Sequence, residues 1–260
     1  VTSQLLLGLP AVLEAHGRIA LATVVAAAGS TPRGTTARML VLPDGTTRGT
    51  VGGGKFESLV IADARKLLDG RGLPFTRRYD FVPEGPNAFG AVCGGTVTVL
   101  LEIVERTPRL LVVGAGHCGR ALARAAAFSG WAVTVVDERP DQLDPAAFPE
   151  GVALVPVKED FSDMPLPGPD DSVAIVSRGH VTDGIAFRRL RGVPVSYLGM
   201  MGSNAKRKTL FGELRAEGWS EDELARARSP IGLDIGAETP EEIAVAIVAE
   251  LVKVRRVRAV

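Results

Sequence analysis

Cysteine is nearly absent from this chain: Cys93 and Cys118 are the only two in 260 residues. So few cannot form a disulfide framework, and they point to a reducing, cytoplasmic setting. With the three histidines, His16, His117 and His180, they show no zinc-site spacing. Aromatic residues make up only 5% of the chain, which argues against platforms that stack nucleic-acid bases. Neither sign of charge is in excess, because Lys+Arg and Asp+Glu both number 30. No polybasic run precedes the tail at Lys253–Arg258, which reads as the solvated end of a helix. A nucleic-acid or acidic-membrane partner is therefore not expected. No apolar run is long enough to span a bilayer, and the N-terminus lacks the charged lead of a signal peptide. A soluble, cytoplasmic protein is expected. What is abundant is apolar side chain, 46% of residues, enough for a sizeable core in one or two domains.

The most informative stretch runs from Leu110 to Asp137. An apolar run, Leu110 to Val113, stops at Gly114-Ala115-Gly116-His117-Cys118-Gly119, a helical stretch follows, and a second apolar run ends at Asp137. Strand, glycine turn, helix, strand, acid is the dinucleotide-binding fingerprint in its proper context. Gly114 suits the tight turn, Gly116 the approach of a phosphate, and Gly119 close packing of helix on strand. The helix start offers unpaired N–H groups to an anion, and Asp137 stands where a ribose-binding carboxylate is expected. The same turn also serves Rossmann-like domains that hold another ligand or none.

Around this stretch the chain changes character at Glu105–Pro108, which separates residues 1–105 from 106–260. The first part is strand-rich. A helix from Ser3 to His16, interrupted by Pro10, precedes strands at 19–28, 38–42 and 46–51, a helix from Gly52 to Leu68, and strands at 76–81 and 96–104. The second part alternates: strands at 110–113, 131–136, 152–155, 172–177 and 194–198, with helices at 117–129, 183–190, 203–217 and 220–227. A last helix starts at Thr239-Pro240-Glu241-Glu242, with Thr239 as N-cap and Glu242 as its box partner. The fold class expected is α/β: a mixed first domain, then a Rossmann-like domain with a mainly parallel sheet.

Several loops hold candidate chemistry. Gly49 to Lys55 nearly matches a P-loop, but Phe56 stands where a magnesium-ligating hydroxyl is required, so a Walker NTPase is rejected. Gly52, Gly53 and Gly54 still form an anion cradle or a tight turn, and Glu57 reads more readily as a capping acid than as a catalyst. Cys93-Gly94-Gly95 is either a buried thiol or a place where a ligand comes close. Ser177-Arg178-Gly179-His180 follows a strand end, where His180 with Asp183 would orient a proton donor or simply start a helix. Gly202-Ser203 follows the next strand, with Lys206 and Arg207 either solvated or reaching an anion. Asp234 lies in an apolar loop, Pro230 to Gly236, that lines a cleft or tucks against a core.

These segments, in order, resemble the XdhC/CoxI family of xanthine dehydrogenase accessory proteins. The resemblance rests on GSTPR at 29–33, ARMLV at 37–41, GTVGGGKFE at 49–57, CGG at 93–95, GAGHCGRAL at 114–122, DERPD at 137–141, SRGH at 177–180, YLGMMGS at 197–203 and PIGLDIGAETPEEIA at 230–244. It covers nearly the whole chain, with departures at Gly34-Thr35-Thr36, Val92 and Ser177. It implies an N-terminal XdhC/CoxI domain and a C-terminal Rossmann domain. It also implies a role as a chaperone rather than a turnover enzyme. Such a protein binds and protects molybdenum cofactor (molybdopterin), supports exchange of an oxo ligand for sulfido by a cysteine desulfurase, and delivers the product to a molybdenum hydroxylase apo-enzyme. The cofactor-binding residues expected are Ser30, Arg33, Gly52, Gly53, Gly54, Glu57, Cys93, Gly94, Gly95, Gly114, Gly116, His117, Gly119, Asp137, His180, Gly202, Ser203 and Asp234. Cys93 is the soft ligand expected for the metal. No catalytic residue is assigned. A ligand held between the domains and a homodimer are expected. The alternatives are an NAD(P)-dependent oxidoreductase built on the fingerprint and a sulfur-transfer protein using Cys93.

Overall fold

A computed structural model describes residues 2–31, 34–70, 72–85, 88, 90 and 94–257. The chain divides into two compact units, one ending at Arg106 and the other spanning Thr107–Val257.

The first unit begins with two short helices, α1 (Thr2–Leu7) and α2 (Leu9–His16), in place of one. The break falls at Gly8, and Pro10 takes the first turn of α2, where its missing N–H costs nothing. Next come β1 (Arg18–Ala28), β2 (Arg38–Val41), β3 (Thr47–Gly49), α3 (Gly54–Gly70), β4 (Phe75–Asp80) and β5 (Thr96–Glu105). The strands form one antiparallel sheet in the order β3-β2-β1-β5-β4. From Ile19 to Ala22 β1 is buried on both faces, its side chains alternating between them. Ala20, Ala22 and Val24 face the α3 core with Phe56, Val60 and Ala64, while Ile19 and Leu21 join Val12 and Leu40 beneath α2.

The second unit contains β6 (Arg109–Val113), α4 (His117–Phe128), β7 (Ala132–Asp137), β8 (Ala153–Pro156), β9 (Ser172–Ile175), α5 (His180–Arg189), β10 (Tyr197–Met200), α6 (Asn204–Ala216), α7 (Glu221–Ala225), β11 (Ala227–Arg228) and α8 (Pro240–Val257). Every pairing is parallel, in the order β11-β10-β9-β6-β7-β8. That is the doubly wound arrangement, with its switch point between β6 and β9. Both strands are buried on each face, hence their unbroken apolar runs. One core lies under α4 and α8, the other under α5, α6 and α7.

The fold class is the expected one, with three local differences. The strand expected at 194–198 is Tyr197–Met200, because the turn residues before it run on to Ser196. The helix expected at 183–190 starts at His180, which carries Asp183 into the interior. The helix expected at 220–227 ends at Ala225, and Ala227 and Arg228 form β11, a strand too short to have a period to read. The box at Thr239 and Glu242 forms as expected, with reciprocal bonds of 3.2 and 3.0 Å. Among the described residues no helix is long and apolar enough to cross a membrane.

Candidate functional site

In the first unit the chemistry-bearing loops gather at one end of the sheet. β1 ends there and β5 begins there, with Ala28 opposite Thr96. Ser30 and Gly95 are in backbone contact, since a Cβ on Gly95 would lie 2.2 Å from the Ser30 carbonyl oxygen. Gly94 likewise closes on Gly29, whose Cβ would meet the Gly94 oxygen at 3.0 Å. At the same end Gly53 and Gly54, at φ 86° and 61°, turn the chain into α3. The cradle made there is not empty. Glu57 folds back and accepts from Val51 N–H at 3.3 Å, from Gly53 N–H at 3.2 Å and from the Thr50 hydroxyl. Its carboxylate is thus a capping acid at a helix start. Arg33 and Cys93 lie outside the described residues.

In the second unit the fingerprint takes its expected form. Gly114, at φ 114°, lies against the next loop, where a Cβ would come within 2.8 Å of Ser177 Cα. A Cβ on Gly119 would sit 1.8 Å from the Gly114 oxygen, so only glycine lets α4 start this close to β6. Gly116 differs: a Cβ there would meet nothing within 4 Å. The space above it is open, as an approaching ligand requires. His117 opens α4 with an exposed side chain.

Asp137, by contrast, is fully engaged. It is 1% exposed, and its Oδ2 accepts from Ala115 N–H at 2.7 Å and from Arg139 Nη2 at 2.9 Å. Its Oδ1 accepts from Arg139 N–H and Nε, both at 2.9 Å. Burial pushes its carboxyl up, but the bonds from Arg139 and Ala115 outweigh burial and hold it below the usual range. The carboxylate expected to take a ribose instead fastens the glycine loop to the end of β7.

The pairing of His180 with Asp183 is not made. Asp183 is fully buried and accepts from the Ser177 hydroxyl and the Lys206 ammonium, while His180 is exposed. Burial raises the Asp183 carboxyl, and its two partners offset only part of that rise. Lys206 reaches inward along Gly202, where a Cβ would stand 2.8 Å from its Cδ. In the sequence Lys206 reads either as a solvated cation or as one that reaches an anion. The signal available was Gly202 four residues upstream, a bare position beside a long cation.

A cavity of about 640 Å³ opens beside the end of β10. Met201, Ser203, Ile231, Asp234 and Ile243 line it, so Gly202-Ser203 and Asp234, distant in sequence, meet here. Ser203 caps α6 by accepting from Lys206 N–H at 3.2 Å. The loop carrying Asp234 is tied to α8: Leu233 N–H donates to Ala246 O at 3.1 Å and Gly232 N–H to Glu250 at 2.9 Å. Glu250 also accepts from Arg228 at 3.1 Å and from the Tyr197 hydroxyl, a buried network that went unforeseen. Cys118, the second residue of α4, is partly buried, and burial and then nearby Glu241 push its thiol up. Among the described residues no His, Cys, Asp and Glu cluster could hold a metal.

With this geometry in view, the chain is similar to known proteins along nearly all its length. The family described as the XdhC Rossmann domain matches residues 110–251, and that described as the XdhC and CoxI family matches 12–80. YqeB of Escherichia coli (strain K12) is 35% identical over 93% of this chain and 44% of its own. A probable xanthine dehydrogenase subunit from Bacillus subtilis (strain 168) is 31% identical over 62% of this chain and 47% of its own. This chain therefore spans less than half the length of either relative. A crystal structure described as a xanthine dehydrogenase from Bacillus halodurans superposes with a TM-score of 0.54 at 25% identity, covering 96% of this chain and 95% of that one.

Proposed function

This chain belongs to the XdhC/CoxI family, and from that premise we propose that it binds molybdenum cofactor, protects it and delivers it to a molybdenum hydroxylase of the xanthine dehydrogenase type. Residues 1–105 and 106–260 are the two domains of this maturation factor. The observation that carries the reading is the pair of family matches in order, 12–80 and 110–251.

The cavity beside β10 fits a pterin. Its volume, about 640 Å³, lies in the range of small-molecule sites, and its walls mix apolar side chains with polar groups such as Ser203, Asn204 and Asp234. Asp234 at the mouth would accept from the N–H edge of the pterin, Met201, Ile231 and Ile243 would cover the ring, and the start of α6 at Ser203 would face the phosphate. The cofactor is cargo here. The chain's work is to bind it, orient it and exclude water, while Cys93 is the thiol proposed for the metal or its labile sulfur. The partners proposed are the apo-hydroxylase and a cysteine desulfurase, with the protein acting as a cytoplasmic homodimer.

A nucleotide in the Rossmann unit is a second ligand favoured by one observation, the open space above Gly116. NAD(P) is the candidate, bound as a regulator or, in the alternative reading, as the coenzyme of an oxidoreductase. Activation of an apo-molybdenum hydroxylase by cofactor-loaded protein tests the main reading. Restored hydroxylase activity is expected; saturable NAD(H) turnover with a substrate and no activation would replace it with the oxidoreductase.

A further inference from the structure

The fingerprint's own acid is spent on the fold, but its neighbour is not. Glu138 follows Asp137 at the end of β7, and its side chain is only 7% exposed. Its Oε1 is buried and accepts no hydrogen bond among the described residues. The nearest cations are Arg178 Nε at 3.4 Å and Arg139 Nε at 3.8 Å. Arg139 is already committed to both oxygens of Asp137. Arg178 is 63% exposed, so its hold on Glu138 is weak and readily exchanged.

Topology places this pair. Arg178 lies in the loop after β9 and Glu138 in the loop after β7, and β6 runs between those strands. A contact from one loop to the other therefore crosses the C-terminal end of β6, where Gly114 begins the glycine turn. That is the switch point of the sheet, beside the open space at Gly116 and the start of α4. A buried acceptor without a donor is costly unless something supplies one. Here the acceptor stands at an anion-binding turn with an exchangeable cation across it.

We propose that this crevice binds a ribonucleoside 5′-diphosphate, with Glu138 rather than Asp137 accepting from the ribose hydroxyls, and with Arg178 passing from Glu138 to the diphosphate as the ligand enters. The inference rests on the nucleotide-binding part of the proposed function. The diphosphate and ribose belong equally to a free nucleotide, to an adenine dinucleotide and to a nucleotide-bearing pterin.

Calorimetric titration of the full chain with ADP and with 2′-deoxy-ADP tests it. ADP is expected to bind saturably and about ten-fold tighter than its deoxy analogue, the loss for one hydrogen bond to a charged acceptor. Glu138→Ala, which leaves no acceptor for the 2′-hydroxyl, should weaken ADP by about ten-fold and bring the two ligands to equal affinity. Arg178→Gln should weaken both alike and keep their ratio. Titrations with CDP and GDP identify the source: preference for either over ADP keeps the ribose contact but points to a pterin dinucleotide. No saturable binding of any diphosphate, equal affinity of ADP and its deoxy analogue for the unaltered protein, or a Glu138→Ala variant that still discriminates would overturn the inference. The comparison of ligands on unaltered protein holds whether or not a variant folds. Molybdopterin retention, measured on the same preparations, reports on the main reading separately.

Discussion

Each unit has a strand that runs into a glycine-rich turn and then a helix, and in each the chain sends its own carboxylate to the turn. Glu57 reaches Val51 and Gly53 from one turn inside α3, while Asp137 reaches Ala115 from the end of a neighbouring strand. The first contact is local and part-buried. The second joins two strands, is 1% exposed and is locked by a bidentate arginine. A local cap can swing away when an anion arrives, at the modest cost of one cap. A buried, fork-held carboxylate cannot leave without exposing Arg139 and the loop N–H to a gap. The first turn is thus closed by a group that is local and only part-buried. The second is a fixed platform, so the nucleotide proposed for it must use other groups, which is why the ribose contact is assigned to Glu138.

Substitutions can test this contrast, and the largest effect is expected at the platform's glycines. Gly119→Ala puts a methyl 1.8 Å from the Gly114 oxygen and should cost about 3 kcal/mol or more in thermal or denaturant unfolding. Gly116→Ala meets nothing within 4 Å and should change stability by less than about 1 kcal/mol while weakening nucleotide binding. Equal losses at the two positions would contradict the distinction between a packing glycine and a ligand glycine.

Next in size is Lys206→Met, which strands the buried Asp183 carboxylate and should cost about 3 kcal/mol at neutral pH. Burial raises the folded pKa of Asp183 above 3.8, so its protonated form is the one favoured by folding. Its contribution is fullest below 3.8 and falls as pH rises through the folded value. The variant's deficit should therefore shrink on acidification, a trend that denaturant titrations at several pH values read directly. A pH-independent deficit would mean that the pair is not buried as described.

Asp137→Asn should follow at about 2 kcal/mol, since the amide keeps the size but not four accepted bonds. The folded pKa of Asp137 is lowered, so its stabilisation is present above 3.8 and is lost as pH falls below that value through the folded pKa. Acid unfolding of the unaltered protein should show this loss, and the variant should show less of it. Glu57→Gln should be the mildest, about 1 kcal/mol or less, because the amide oxygen can keep accepting from Val51 and Gly53 while only the charge at the helix start is lost. The same variant should bind inorganic phosphate more tightly than the parent if the cradle can be vacated; unchanged phosphate affinity would count against that idea.

Much of this architecture was legible because its signals are local. The roles of Gly114 and Gly119 follow from a turn and a helix a few residues apart, and the box at Thr239 and Glu242 spans one turn. The cavity was half legible: Gly202-Ser203 and Asp234 each stood out, but only the parallel order of β10 and β11 and the ties from Leu233 and Gly232 to α8 bring them to one place. Asp137 stands out by its position, but the donors its oxygens accept from, Ala115 and Arg139, are set by the loop geometry and not by the fingerprint spacing. The Lys206–Asp183 and Glu250–Tyr197 contacts join residues 23 and 53 apart, a separation that no periodicity encodes. Arg33 and Cys93 remain part of the proposal on chemistry alone.

The most direct measurement is anaerobic gel filtration of the full chain mixed with molybdenum cofactor, followed by metal analysis and pterin fluorescence of the protein peak. Molybdenum and pterin should co-elute with the protein, and Asp234→Ala should lower retention by about ten-fold, the effect of losing one charged hydrogen-bond acceptor. A protein peak free of pterin, from a preparation that still binds NAD(H), would contradict the account.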